Sequence, residues 1–162
     1  MPIIDYCRNL KVISFANTSL SDATIAYICK NINAGIEEFN FHGVDFRDRD
    51  IAVLIPRCKN LQALDIGCNS YVSSVSLNLI ARESNISKLA LPTHLTYNQV
   101  SVLKESQTLK SLWYPLVWHA TNNAFEIHQE KLKKMFNHVI INKGRLQIPT
   151  DYSFICDQEK LS

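Results

Sequence analysis

Glycine is scarce in this chain of 162 residues, which holds four: Gly35, Gly43, Gly67 and Gly144. They stand too far apart to build a G-x-G-x-x-G turn or a P-loop, whose backbones need closely spaced glycines to approach a phosphate. The commonest nucleotide sites are thereby excluded. No apolar run approaches the roughly eighteen residues that read as a bilayer span. Residues 1–30 lack the charged, apolar and small-residue succession of a secretory signal. An intracellular protein, cytoplasmic or nuclear, is the expectation, and Asn17-Thr-Ser and Asn85-Ile-Ser then read as chance matches to a glycosylation acceptor. The cysteines Cys7, Cys29, Cys58, Cys68 and Cys156 are odd in number and form no C-x-x-C pair. That disfavours a disulfide framework and a zinc knuckle, and leaves reduced, mostly buried small apolar residues. The histidines His42, His94, His119, His128 and His138 show neither H-x-x-x-H nor H-E-x-x-H spacing, so no metal site is expected. His42 and Cys68 could share neighbouring strands, but nothing in the spacing makes them a nucleophile and base. No catalytic residue and no cofactor is expected. A net charge of +2 exerts little long-range pull on any partner.

What the chain does contain is a repeated apolar spacing. The pattern apolar-x-x-apolar-x-apolar occurs at Leu10/Ile13/Phe15, Ile36/Phe39/Phe41, Leu61/Leu64/Ile66, Ile86/Leu89/Leu91 and Leu109/Leu112/Tyr114, with starts 26, 25, 25 and 23 residues apart. The alternating tail of each block suits a short strand. Apolar residues then return at helical spacing, as Ile25, Ile28 and Cys29, and as Ile51, Leu54 and Ile55. One strand and one helix per period predicts a solenoid, because a single strand-helix unit cannot cover its own apolar face and stacked units can. Ser21 or Asp22 caps the first helix. The fourth block, "LPTHLTYNQV", departs from the others and predicts a short or irregular helix.

The segments "NLKVISFANTSLSDATIAYICKNI", "GIEEFNFHGVDFRDRDIAVLIPRCKN" and "NLQALDIGCNSYVSSVSLNLIARES" resemble the leucine-rich repeat family, in its cysteine-containing subtype. That subtype forms the repeat arrays of F-box ubiquitin-ligase receptors and AMN-type mitotic regulators. The resemblance covers about residues 4–116, and Val44 stands where the family places Cys or Asn. It implies an α/β fold: a short curved parallel sheet with helices on the convex side and a C-terminal capping helix. It also implies a non-enzymatic scaffold that holds a protein or peptide on the concave sheet face, as a substrate-recruiting or cell-cycle adaptor without an F-box.

In such a fold the residues interleaved with the inward apolar ones meet the partner. Ser14, Asn40, Asp65, Ala90 and Trp113 form the central column, flanked by Val12, Glu38, Ala63, Lys88 and Ser111 and by Ala16, His42, Gly67, Pro92 and Pro115. Glu38, Asn40, His42, Asp65, Lys88 and Trp113 are the candidate contacts. Trp113 serves either as an anchor for the partner or as packing under the C-terminal helix. "CRNL" at Cys7–Leu10 matches "CKNL" at Cys58–Leu61, the end of a helix. The chain therefore opens within a repeat, as a fragment or short isoform of a longer array, or with its first strand edge covered by a partner or a second copy.

The repeats are assigned to residues 1–122, a cap to 123–148 and a loose tail to 149–162. In the cap, Asn123 and Glu126 resemble a capping box, and Phe125, His128, Leu132, Met135 and Phe136 recur at helical spacing over about 124–137. "VIINKGRLQI" reads as a hairpin about Asn-Lys-Gly or as an extended tail over the array. Tyr152 and Phe154 are the residues that would anchor the tail. Lys131, Lys133, Lys134, Lys143 and Arg145 form a basic segment, read first as a solvated face. A nucleic-acid or ribonucleoprotein role for it is the alternative, disfavoured for want of a denser cluster with aromatic groups between the charges. A structural subunit of a larger organellar complex is a further alternative.

Overall fold

The computed structural model of the chain describes residues 2–92, 94–114, 130–143 and 146. Six strands, β1 (Val12–Ser14), β2 (Glu38–Asn40), β3 (Ala63–Asp65), β4 (Lys88–Ala90), β5 (Ser111–Tyr114) and β6 (Ile140–Lys143), form one sheet in the order of the chain. Every neighbouring pair is parallel. Helices alternate with them: α1 (Pro2–Tyr6) before β1, then α2 (Asp22–Asn31), α3 (Asp48–Arg57), α4 (Ser74–Glu83) and α5 (Tyr97–Val100), the last continued by a 3-10 turn over Ser101–Glu105. Residues 130–135 form the described part of a sixth helix, α6. The architecture is α/β, built of strand-helix units laid side by side.

The five spaced segments lie in serial order, and the register follows the apolar frame. Ile13, Phe39, Leu64, Leu89, Leu112 and Ile141 stand opposite one another across the sheet. The first five of them are buried, in one cluster with Ile25, Ile28, Ile51, Leu54, Leu77 and Ile80 from the helices. The core therefore lies between the sheet and the helix layer. It includes a run of rings in the first two units: Phe41 has its centroid 4.1 Å from those of both Phe39 and Phe46, and 5.9 Å from that of Phe15.

Of the segment read as a hairpin or an extended tail, the described part is a strand, and the residues of a second hairpin arm, apart from Leu146, lie outside the described residues. Ile140–Lys143 pairs with β5 as another parallel strand, and Leu132 on α6 and Phe136 just after it are buried in the core. Before β1, α1 adds buried Ile4 to the same core, and Tyr27 donates to the Asp5 carboxylate across to α2. The irregular fourth unit has its own cause. Thr96 and Gln99 close a capping box at the start of α5, but the turn tightens to 3-10 after Val100.

The starts of α2, α3 and α4 are bonded in series. Ser21 caps α2 through Thr24 N at 3.2 Å, and Ser73 caps α4 through Val75 N at 3.1 Å. Asp22 accepts from Arg49 at 2.6 Å. Asp48 accepts from Ser73 N at 2.8 Å, Ser73 Oγ at 2.6 Å and Ser76 Oγ at 2.5 Å, tying α3 to α4. Burial pushes the Asp48 carboxyl up, but the hydrogen bonds from Ser73 and Ser76 outweigh it and hold the pKa below the ordinary value. Because the folded pKa lies below the unfolded one, this stabilisation is present above the unfolded pKa and is lost as pH falls through the folded one. Asp48→Asn is therefore expected to cost about 1 kcal/mol near neutral pH, reduced by the partial exposure of the site. It should also flatten the loss of stability as pH falls below the ordinary carboxylate pKa of about 4, read from urea unfolding across the acid range. An unchanged acid slope would show that Asp48 does not carry it.

Candidate functional site

The face of the sheet opposite the helices carries the interleaved residues. Across it run two columns in register, Val12, Glu38, Ala63, Lys88, Ser111 and Ile140, and Ser14, Asn40, Asp65, Ala90, Trp113 and Asn142. In three of the units, the residue of the second column ends its own strand by accepting from the backbone N–H two residues on. Asn40 Oδ1 accepts from His42 N at 2.9 Å, Asp65 Oδ1 from Gly67 N at 2.8 Å and Ser14 Oγ from Ala16 N at 3.4 Å. Short polar side chains hold such local turns better than any apolar one.

The candidate contacts fall into two groups. Lys88 is exposed and Glu38, His42 and Trp113 are half-buried, whereas Asn40 and Asp65 are buried. Asp65 is 0% exposed. Its Oδ1 also accepts from His42 Nδ1 at 3.2 Å, while its Oδ2, equally buried, has no hydrogen-bond partner among the described residues. Gly67 is required here by a close approach: a Cβ would lie 2.5 Å from His42 Nδ1. The imidazole lies against that glycine, beside the carboxylate.

Sequence spacing did not show what covers this face. Leu146, 3% exposed, packs with Ala63 and Ala90, and Val12 and Trp113 pack against the same cluster. Trp113 therefore serves the outer sheet face. A leucine beyond the last repeated pattern carries no signal of where it docks, so only the folded structure reveals it.

In the basic segment, Lys131, Lys133 and Lys134 are exposed on α6, and Lys133 pairs with Glu130 at 3.3 Å. Lys143 belongs to β6; its side chain and Arg145 lie outside the described residues, as do residues 115–129 and the tail from Pro149 with Tyr152 and Phe154. Near the β1 edge, a shallow depression of about 450 Å³ is lined by Arg8, Asn9, Leu10, Lys11, Asn33, Ala34 and Gly35. Lys11 there pairs with Glu37 at 2.8 Å.

The described cysteines differ in burial. Cys29 and Cys58 are buried; burial pushes both thiols up, Cys58 to about 11, so they are protonated and unreactive at neutral pH. Cys68 is exposed on the turn after β3. Among the described residues no group of three or more His, Cys, Asp and Glu could hold a metal ion, and no helix is long and apolar enough to cross a membrane. No protein-family model matches the chain, and no curated protein matches it.

Proposed function

We propose that the chain is a leucine-rich-repeat scaffold of the cysteine-containing kind, a solenoid that holds a protein or peptide on its open sheet face and performs no chemistry on it. The observation that carries this reading is the sheet face itself. Small residues, a buried carboxylate and a half-buried tryptophan lie in register across it, and a leucine from elsewhere in the chain rests on it. Among the described residues such a face presents shape and hydrogen-bonding groups, the features by which a surface holds a partner. The partner is a protein inside the cell, by analogy with adaptors that recruit substrates to ubiquitin ligases or regulate the cell cycle. The basic α6 favours a nucleic acid less, since Lys133 is engaged by Glu130 and Tyr97 directs its hydroxyl at the Lys131 carbonyl.

Photo-crosslinking amino acids at Lys88 and Ser111, against Tyr27 and Val53 on the helix side, test the reading. The sheet-face positions are expected to capture one common protein that the helix-side positions do not. The same adducts from both sides, or none from the sheet face, would overturn it.

A further inference from the structure

Helices on the outside of a domain usually turn charged residues toward water. The layer formed by α2, α3 and α4 does not. Tyr27, Val53 and Leu79 each stand two residues after a buried core residue, Ile25, Ile51 and Leu77, and so form a row across the three helices. Ala23, Arg49 and Val75 lie one turn before that row, and Ala26, Ala52 and Asn78 lie beside it. Apart from Leu79, which is half-buried, all of these residues are exposed. Arg49 is the one charge among them, and Asp22 engages it at 2.6 Å. An exposed surface so poor in charge marks an interaction site. Charge gathers instead at its two ends. Asp22 and Asp48 stand in the first turns of α2 and α3, and Lys30, Arg57 and Arg82 in the last turns of α2, α3 and α4. Those three cations have no carboxylate partner among the described residues. Asp22, though shared by Arg47 and Arg49, keeps half of its side chain in water.

We propose that this helix face pairs with the same face of a second copy of the chain, about a two-fold axis that runs along the row of Tyr27, Val53 and Leu79. The charged ends select both the partner and its orientation. Rotation about that axis lays each helix antiparallel on its counterpart, so the acidic end of one copy meets the basic end of the other. Asp22 then faces Lys30 and Arg57 of the second copy, and Asp48 faces Arg82. The helix dipoles, also antiparallel, agree with this arrangement. With the axis along the helices instead, Lys30, Arg57 and Arg82 would be set against one another. Contacts across a two-fold axis are reciprocal, so each favourable pairing occurs twice. Helices of ten residues are about 15 Å long and pack about 10 Å apart, so the three present about 450 Å² on each copy. An interface of that size belongs to the transient class, which predicts a weak dimer with a dissociation constant on the order of 100 μM.

Sedimentation velocity of the full chain, from about 10 μM to about 1 mM, is expected to pass from monomer to mostly dimer. Val53→Glu and Val53→Arg each set a charge against its own copy on the axis, and either should raise the dissociation constant about tenfold or more. Circular dichroism melts confirm that every variant folds. The charged ends are tested by exchange. Asp22→Lys alone, and Lys30→Glu with Arg57→Glu in one chain, should each weaken self-association about tenfold. An equimolar mixture of those two variants should dimerise like the unaltered chain, because only the mixed pair restores opposite charges at both ends. A chain that stays monomeric at about 1 mM, a dimer that both Val53 variants leave intact, or a mixture no stronger than its components would overturn the proposal. The sheet-face reading is checked apart from it. A photo-crosslinker at Val53 should join the chain to a second copy, one at Lys88 should join it to a different protein, and either result can fail without the other.

Discussion

Phe41→Ala is expected to lower folding stability by about 4 kcal/mol, near the upper part of the range for emptying an aromatic site in a core. The ring is 0% exposed and lies between those of Phe39 and Phe46, with Phe15 beyond. Its neighbours come from the first two units and from the loop into α3, so the space left cannot be closed by moving one element. The backbone would be untouched: Phe41 N still donates to Asp65 O at 2.8 Å, and its carbonyl still accepts from Asn69 Nδ2 at 3.0 Å. The loss would therefore report ring packing alone. Phe15→Ala, at the edge of the same run and 8% exposed, should cost less, about 3 kcal/mol. Urea unfolding of both variants checks the order. A Phe41→Ala cost below about 1 kcal/mol would mean that the rings are not the centre of the core.

The same rings show how far sequence reasoning carries. Phe15, Phe39 and Phe41 all fall on the repeated spacing, so their inward direction and the serial pairing of five strands follow from the period of the pattern. The sixth strand escapes that logic for a definite reason. Register sets Ile141 opposite Leu112, so the frame Leu109/Leu112/Tyr114 maps onto His138, Ile141 and Lys143. Two of those three positions are polar, and the pattern dissolves although the backbone continues. The two columns of the outer face were also legible, since alternation along a strand dictates them. Their exposure was not. Asn40 and Asp65 read as surface residues because nothing local covers them, and Leu146, which packs on the Ala63 and Ala90 beside Asp65, arrives from a part of the chain with no periodic signal. Asp50 makes the same point on the helix side. It stands in a charged run, Arg47-Asp48-Arg49-Asp50, yet it is 3% exposed, and burial raises its pKa where that of Asp48, two residues away, is lowered. Orientation around a helix, rather than residue type, separates the two carboxylates.

Asn69 makes the strongest polar contribution that spacing did not single out, and Asn69→Ala is expected to cost about 3 kcal/mol. The residue is 2% exposed. Its amide Nδ2 lies 3.0 Å from Phe41 O, 2.9 Å from Ile66 O and 3.1 Å from Gly67 O, and its Oδ1 accepts from Phe46 N at 2.9 Å. One side chain thus ties the turn after β3 to the turn after β2. Alanine would leave the Phe46 N–H and the carbonyls without that partner in a place water does not reach, at about 1–2 kcal/mol for each group that finds no other. Aspartate would do no better, because it removes both donors and sets a negative charge among three carbonyl oxygens. The corresponding places in other units provide the comparison. Thr18, which is exposed, donates to Phe15 O at 2.6 Å, and Val44 makes no side-chain hydrogen bond at all. Thr18→Ala should accordingly cost about 0.5–1 kcal/mol. Thermal and urea unfolding of the two alanine variants side by side decide the matter: equal costs would show that the bonds around Asn69 are replaced on relaxation, and a gap of about 2 kcal/mol would show that this side chain fastens adjacent units together.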